Sequence, residues 1–443
     1  MVRPLAQARI LSGETQLKPI VSTILAALLT VTCLSQERLP GLRYWQLQSE
    51  IRTNLQNRNY DVALRLLKEA DEADPNNPHV IFRMAMAETY LQMEQASLAH
   101  LNRLVGMRVY FDLAKEPAFA QLKGLTNFRR LVKAMEKIKA TTDFQATLAF
   151  RIPERAFLPE GIAYDSRSGD FFVASIYKRK IVRVSSKGTT TDFIKPHQDD
   201  IWGVSGIGVD TNRRILWACS AAFEANEGFT PADKNNTAVF AFDIDTGKLA
   251  KKYPLEKPGN SHFCDGLVIA SDGTVFVADS QGLIVYRVDA EAHDLQVVIG
   301  PDAGISPQGL AMSKSGKTLF ISNYASGLYA IDLKSKQIST VHSKAKDSLA
   351  GIDGLITYGN DLIAIQNGIQ PNRVVRLRMN SKGTVVNSIQ VLEINHPSFG
   401  EPTLGVVKGD TLYFVANNPI GQFLRDHQPA ALPSPVILKR VLR

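Results

Sequence analysis

The sequence predicts an all-β six-bladed β-propeller with an N-terminal all-α helical domain, and three observations lead there. First, one short phrase recurs along the second two thirds of the chain. It reads Glu160-Gly161, Ser205-Gly206, Asp265-Gly266, Gln308-Gly309 and Asp353-Gly354, each followed by two small or aliphatic residues, with a degenerate sixth copy at Pro402-Thr403. The intervals of 45, 60, 43, 45 and 49 residues match the period of a four-stranded propeller blade. Second, most copies continue into a turn and an apolar run that ends on a small polar residue, such as Asp279, Asn323 or Asn367, and then into a third strand. Third, residues 40–141 carry few glycines and few β-branched runs, and their apolar spacing is helical.

The 443 residues are enough for more than one domain and a sizeable core, and 44% hydrophobic with 21% charged residues is ordinary for a globular protein. The net charge of +8 is spread along the chain: residues 1–33 hold three Lys/Arg against one Glu, and residues 34–142 hold sixteen against twelve Asp/Glu. No basic run interleaves with aromatics, so no nucleic-acid partner is expected. Arg3, Arg9 and Lys18 precede a short apolar stretch, residues 19–34, too short to span a bilayer but shaped like an export signal. Residues 1–34 therefore read as a leader, and the protein as exported, periplasmic or associated with the cell envelope. Cys33 keeps open a lipid anchor, the only membrane contact expected; a buried N-terminal helix is the plainer alternative. Cys219 and Cys264 read as two free buried thiols, with pairing in an oxidising compartment as the alternative.

Within the helical domain, Asn59-Tyr60 opens an amphipathic run through Ala63 and Ala70, and Asp74-Pro75 stops it. This run is close to the second helix and terminal proline of a tetratricopeptide repeat. Residues 79–93 and 95–105 resemble a further repeat, and Phe119, Leu122, Phe128 and Leu131 a capping element. Such a domain is either a groove for a protein partner or a packing module beside the propeller; the second is expected here. The propeller is expected over 143–427, with residues 146–150 completing the sixth blade so that no edge is left exposed. Longer excursions at 189–203, with Trp202, and at 221–236 are placed to build a rim. Residues 428–443 read as a C-terminal tail, Pro-rich over 428–435 and strapped to the surface.

In a closed ring the residue before each repeated glycine converges on the axis. Glu160, Asp265, Gln308 and Asp353 then bring three carboxylates and one amide oxygen together, which repel unless protons or a cation intervene. This is a hard oxygen set for a divalent metal ion, calcium first, with zinc, magnesium or manganese as alternatives. An isolated Asp-Gly would be only a tight turn; four oxygen-bearing positions in register favour a metal site. No Gly-x-Ser-x-Gly elbow or phosphate-binding Gly-Lys-Ser/Thr occurs, which disfavours a serine hydrolase or a P-loop enzyme.

Residues 145–425 resemble the regucalcin/gluconolactonase (senescence-marker-protein/LRE-like) family of six-bladed propellers, with more distant similarity to paraoxonases and strictosidine synthases. The resemblance is strongest at Leu158-Pro159-Glu160-Gly161, Cys264-Asp265-Gly266, Ser306-Pro307-Gln308-Gly309 and Gly351-Ile352-Asp353-Gly354. It implies a metal held by Glu160 and Asp353 with an amide from the fourth blade, where Gln308 replaces the family's Asn. Cys264-Asp265 stands at the family's Asn-Asp pair. The implied activity is metal-dependent hydrolysis of a lactone or ester, with Asp353 as general base. His262, Asn323, Asn367, Glu401 and Trp202 are the expected substrate contacts, although a lone His such as His262 is also a common structural residue. The alternative reading is a non-enzymatic binding or scaffold propeller of the cell envelope, with the helical domain docking a protein.

Overall fold

The computed structural model describes residues 40–255, 261–289 and 291–443; the expected leader and Cys33 lie outside them. The first described segment is helical: α1 (Pro40–Gln56), α2 (Tyr60–Ala73), α3 (Pro78–Tyr90), α4 (Glu94–Gly106), a 3-10 turn (Pro117–Leu122) and α5 (Thr126–Lys139). Buried Ala63, Leu64, Leu67 and Ala70 make one face of α2, and the small alanines let the neighbouring helices approach. Pro78 at the first turn of α3 needs no hydrogen-bond donor, and Asn77 Oδ1 accepts from His79 N and Val80 N at 3.0 and 3.3 Å as the N-cap. No helix among the described residues is long and apolar enough to cross a membrane.

The helices pack on the β domain. Ile369, from the β domain, is buried in the same cluster as Phe119 and Phe128. Tyr110 N donates to Gln370 O at 2.6 Å, and Asn395 Nδ2 donates to Lys139 O and Thr141 O at 2.8 Å. Asn77 Nδ2 reaches both Asp74 Oδ2 and Ala325 O at 2.8 Å. One asparagine thus caps a helix and ties it to the next layer.

Among the described residues, twenty-four strands form a propeller-like arrangement of five sheets, four with four strands and one with eight. The larger sheet joins two four-stranded runs. Its outer strands β17 (Ile338–Ser343) and β21 (Val385–Ile394) pair in parallel over two positions only, His342 with Val385 and Ser343 with Val386. The expected separation of these two units is thereby lost at their rim, where the start of β21 meets β17. The strand β1 (Thr147–Arg151) pairs antiparallel with β24 (Val436–Val441), in one sheet with β22 (Gly405–Lys408) and β23 (Thr411–Val415). Both ends of the β domain therefore meet in one sheet. Residues 436–441, within the expected C-terminal tail, are a ladder strand between β23 and β1, and the proline-containing stretch before them runs outside the sheets.

The first strands of the successive units lie side by side around the axis: β2 (Pro159–Tyr164), β6 (Gly203–Asp210), β10 (Cys264–Ile269), β14 (Pro307–Met312), β18 (Ile352–Tyr358) and β22. The repeated glycines explain how closely they approach. A methyl group on Gly161 would meet Ser205 O, on Gly206 Asp265 O, on Gly266 Gln308 O, on Gly309 Asp353 O and on Gly354 Thr403 O, at 3.1 Å or less in every case. Each glycine makes room for the backbone of the residue before the next glycine. Thr403, in the degenerate copy, closes the circuit by donating from Oγ1 to Glu160 O at 2.9 Å. Ladder irregularities fall at the same points, between Pro159 and Ile162, Cys264 and Gly266, Pro307 and Leu310, and Ile352 and Gly354. Bulges here turn the residue before each glycine away from regular pairing and into the channel mouth.

Candidate functional site at the axis

Glu160, Ser205, Asp265, Gln308, Asp353 and Thr403 line one cavity of about 230 Å³, so the four expected ligand positions meet in one place. Asn367 and Glu401 join them, as do Asn418, Tyr324, Phe223 and Phe263. Asn367 Nδ2 donates to Asp353 Oδ2 at 2.7 Å and to Pro402 O at 3.0 Å, while its Oδ1 accepts from Tyr324 Oη at 2.9 Å. Asn418 Nδ2 donates to Glu160 Oε2 at 2.5 Å, and its Oδ1 accepts from Ile420 N at 3.0 Å. Each of these two carboxylates thus has one oxygen clamped by an amide and the other free of protein donors among the described residues.

The electrostatics follow from this geometry. Burial pushes the Glu160 carboxyl well above its ordinary value; the Asp353 charge adds to the rise and Asn418 offsets part of it. Burial likewise raises Asp353 to about 6, against the opposing hydrogen bond from Asn367. Asp265 is raised well above its ordinary value, again chiefly by burial, and its Oδ2 is buried without a hydrogen-bond partner among the described residues. Burial also raises Glu401. Four carboxyls crowded this way favour protons or a cation over full ionisation.

Among the described residues, no three His, Cys, Asp or Glu side chains are grouped closely enough to hold a metal by themselves. A site of two carboxylates and an amide does not require such a group. The Gln308 amide lines the cavity and makes no hydrogen bond among the described residues, leaving its carbonyl oxygen available beside the free oxygens of Glu160 and Asp353. Two carboxylate oxygens and an amide carbonyl are an oxygen-only donor set of the kind a hard divalent ion takes.

Three expected substrate contacts lie elsewhere. For two of them the side chain facing the cavity belongs to the next residue in the chain. Asn323 is buried and accepts from Ala325 N at 3.3 Å, while its neighbour Tyr324 faces the cavity. His262 is buried with Nδ1 2.5 Å from Asp279 Oδ2, and the next residue, Phe263, forms the cavity wall. Trp202 stacks on the Arg179 guanidinium, 3.5 Å from the ring centroid, and lines a different cavity. Asn418 is, with Tyr324, Phe223 and Phe263, a cavity residue the sequence did not single out. Its signal was the one already noted for Asn367: an asparagine just after the apolar second strand of its unit, here following Phe414-Val415-Ala416-Asn417.

Cys219 and Cys264 are joined in a disulfide across 5.2 Å between Cα atoms, both fully buried, which corrects the expectation of free thiols. Cys264 precedes Asp265 and Cys219 sits on the second strand of the preceding unit, so the bond links two units directly beside the cavity.

A family model described as the SMP-30/gluconolactonase/LRE-like region matches residues 158–418, more than half the chain and all of the cavity's ring positions. The chain belongs to this family. As an SMP-30/gluconolactonase/LRE-like protein it is also similar in structure to a gluconolactonase from Xanthomonas campestris, at 17% identity over 68% of this chain and 95% of the other, with a TM-score of 0.46. A calcium-binding regucalcin from Agrobacterium tumefaciens aligns at 16% identity over 66% and 93%, with a TM-score of 0.44. Virginiamycin B lyase from Staphylococcus aureus aligns at 16% over 61% and 82%, with a TM-score of 0.43. No curated protein matches the sequence.

Proposed function

We propose that this protein is a metal-dependent hydrolase of a lactone or ester, acting at the axial cavity of a six-bladed propeller. The eight-stranded sheet counts as two blades in this reading, because only the two-residue parallel pairing of outer strands joins its halves. The carrying observation is that Glu160 and Asp353 share one cavity, each with one oxygen held by an amide and the other free. Glu160, Asp353 and the Gln308 amide would hold the ion, calcium foremost. When bound, such an ion supplies Lewis-acid polarisation of a carbonyl and a lowered pKa for water.

The chain's own residues supply the rest. Asp353, raised to about 6, is near the pH at which a carboxylate works best as general base. Its carboxylate takes a proton from the attacking water as the new C–O bond forms and returns that proton to the departing alkoxide as the ring or ester C–O bond breaks. Asn367 keeps the carboxylate oriented through both transfers. Phe223, Phe263 and Tyr324 wall the cavity, and the polar ring of Ser205, Thr403 and Glu401 suits a hydroxylated substrate. The buried disulfide supports an exported protein, since such bonds persist in oxidising compartments.

The test is hydrolysis of a panel of sugar δ- and γ-lactones and simple esters, with and without calcium, zinc, magnesium or manganese after chelation. The proposal expects ion-dependent turnover of at least one compound and a loss on the order of 100-fold for Asp353→Asn, the usual scale for a general base. Turnover indifferent to both chelation and Asp353→Asn would refute it, as would a complete absence of turnover and of bound metal.

A further inference from the structure

A second cavity, of about 480 Å³, shares no lining residue with the axial one. The two excursions from the repeat build it. The segment around residues 197–202 supplies Asp200 and Trp202, and the segment over 221–236 supplies Asn235 and Asn236. Arg179, in the turn between β3 (Phe171–Ser175) and β4 (Lys180–Val184), and Lys252 complete the lining used here.

Arg179 is the unusual member. Three cationic side chains are buried among the described residues: Arg179, Lys180 and Arg373. Lys180 is paired with Glu154 and Asp192 at 2.6 and 2.8 Å, and Arg373 with Asp347 at 3.1 Å. Arg179 is 7% exposed and has no carboxylate within ion-pair distance among the described residues. Its Nε donates to Ile201 O at 3.1 Å and Nη1 to Glu227 O at 3.4 Å, and Trp202 stacks on its plane. Nη2 has no hydrogen-bond partner among the described residues. The guanidinium is therefore fixed in orientation by main-chain oxygens and an indole; Asp233, Asp200 and Glu227 act on its charge from a distance, and no carboxylate among the described residues touches it. Burying a cation this way is costly unless an anion completes it.

The other lining groups narrow the anion's class. The Asn235 and Asn236 side-chain amides and the Asp200 carboxylate make no hydrogen bonds among the described residues, so they are available to hydroxyl groups. Asp200 also repels a multiply charged anion such as phosphate. Lys252, at the rim and 3.4 Å from Asp199 O, adds a second positive charge. The volume lies within the range of small-molecule sites. We propose that this cavity binds a small sugar acid, its single carboxylate paired with Arg179 and Lys252 and its hydroxyls held by Asn235, Asn236 and Asp200. This inference does not depend on chemistry at the axis.

The test is calorimetric titration of full-length protein carrying Asp353→Asn, which keeps the axial base out of the reading, with D-gluconate, neutral D-glucose and inorganic phosphate. Gluconate should bind with a Kd below about 10 mM, and glucose and phosphate should not bind in that range. Arg179→Gln and Lys252→Glu should each weaken gluconate binding about tenfold or more, as expected for a lost charge-assisted contact. Lys252 is a rim residue, so its variant keeps the test decisive if Arg179→Gln does not fold. The proposal is overturned if gluconate does not bind, if phosphate binds equally well, or if gluconate binding is unchanged in Lys252→Glu.

Discussion

Replacing Asp353 by Asn should change how stability depends on pH, in a direction that burial of the carboxyl dictates. The folded-state carboxyl titrates at about 6 against an ordinary value of 3.8. Between these values the folded state holds a proton that the unfolded state has released. Asp353 therefore lowers stability progressively as pH rises from about 4 to about 6, and its full cost is present above that. The difference is worth about 3 kcal/mol, an upper figure because the side chain opens on the cavity and solvent there screens it. With an unfolding entropy of about 2 cal/mol/K per residue over roughly 400 residues, this corresponds to about 4 °C in Tm. Glu160 and Asp265 shift in the same direction and remain in the variant, so only the difference between proteins is diagnostic. Scanning calorimetry in chelator at about pH 4 and about pH 7.5 should show the wild type losing up to about 4 °C more than Asp353→Asn. Calcium at the higher pH should restore the wild type and leave the variant unmoved. Identical pH dependence in the two proteins, with equal calcium responses, would refute the placement of an ionising Asp353 in a buried cation-seeking cluster.

Three further outcomes are expected. Gly309→Ala drives a methyl group onto Asp353 O and should cost about 2 kcal/mol or more in chemical denaturation, whereas Gly106→Ala, with open space around it, should be neutral or slightly stabilising. Asp74, buried where the helices meet the β domain, is raised to about 7 by burial; Asp74→Asn should therefore raise Tm above pH 7 by a few degrees and leave it unchanged near pH 4. Cys264→Ser removes a cross-link closing a 45-residue separation and should lower stability by about 4 kcal/mol on the chain-entropy scale, an effect that reductant should reproduce in the wild type and not in the variant.

The axial residues could be read from the sequence because their positions are set by backbone geometry repeated along the chain. Wherever a glycine must admit the next inner strand, the residue before it faces the channel, so Glu160, Asp265, Gln308 and Asp353 could be placed without knowing any side-chain contact. Asn367 was legible from its place after an apolar strand. Asn323 and His262 were misplaced by a single step: they lie where a strand ends or has yet to begin, and the repeat does not calibrate which of two consecutive side chains turns to the cavity there. Trp202 lies in an excursion with no repeat to calibrate it. The closing strand 436–441 was hidden because the repeat is circularly offset: its partner β1 lies 285 residues earlier in the chain, counted from Arg151 to Val436, and a proline-containing stretch precedes it. The disulfide was illegible for a related reason, since Cys219 and Cys264 become neighbours only when two successive units pack against each other.

One constraint links the fold to the chemistry. Closing the ring relies on glycine at five of the six inner strands, and the carbonyl accepted into each of those gaps belongs to a residue whose side chain lines the cavity. Tight closure and convergence of the side chains are therefore the same event, and a ring carrying Glu160, Asp265 and Asp353 cannot form without concentrating their charge. Apolar residues at these positions would relieve the repulsion at no cost to the backbone geometry, because nothing in the glycine contacts depends on the carboxylates. The acidic groups thus oppose the stability of the empty fold, and the amides of Asn367 and Asn418 orient them without neutralising them. Such an arrangement is explained by what it binds: a cation that engages the free oxygens recovers the electrostatic cost and becomes, through linkage, part of the folded state's stability.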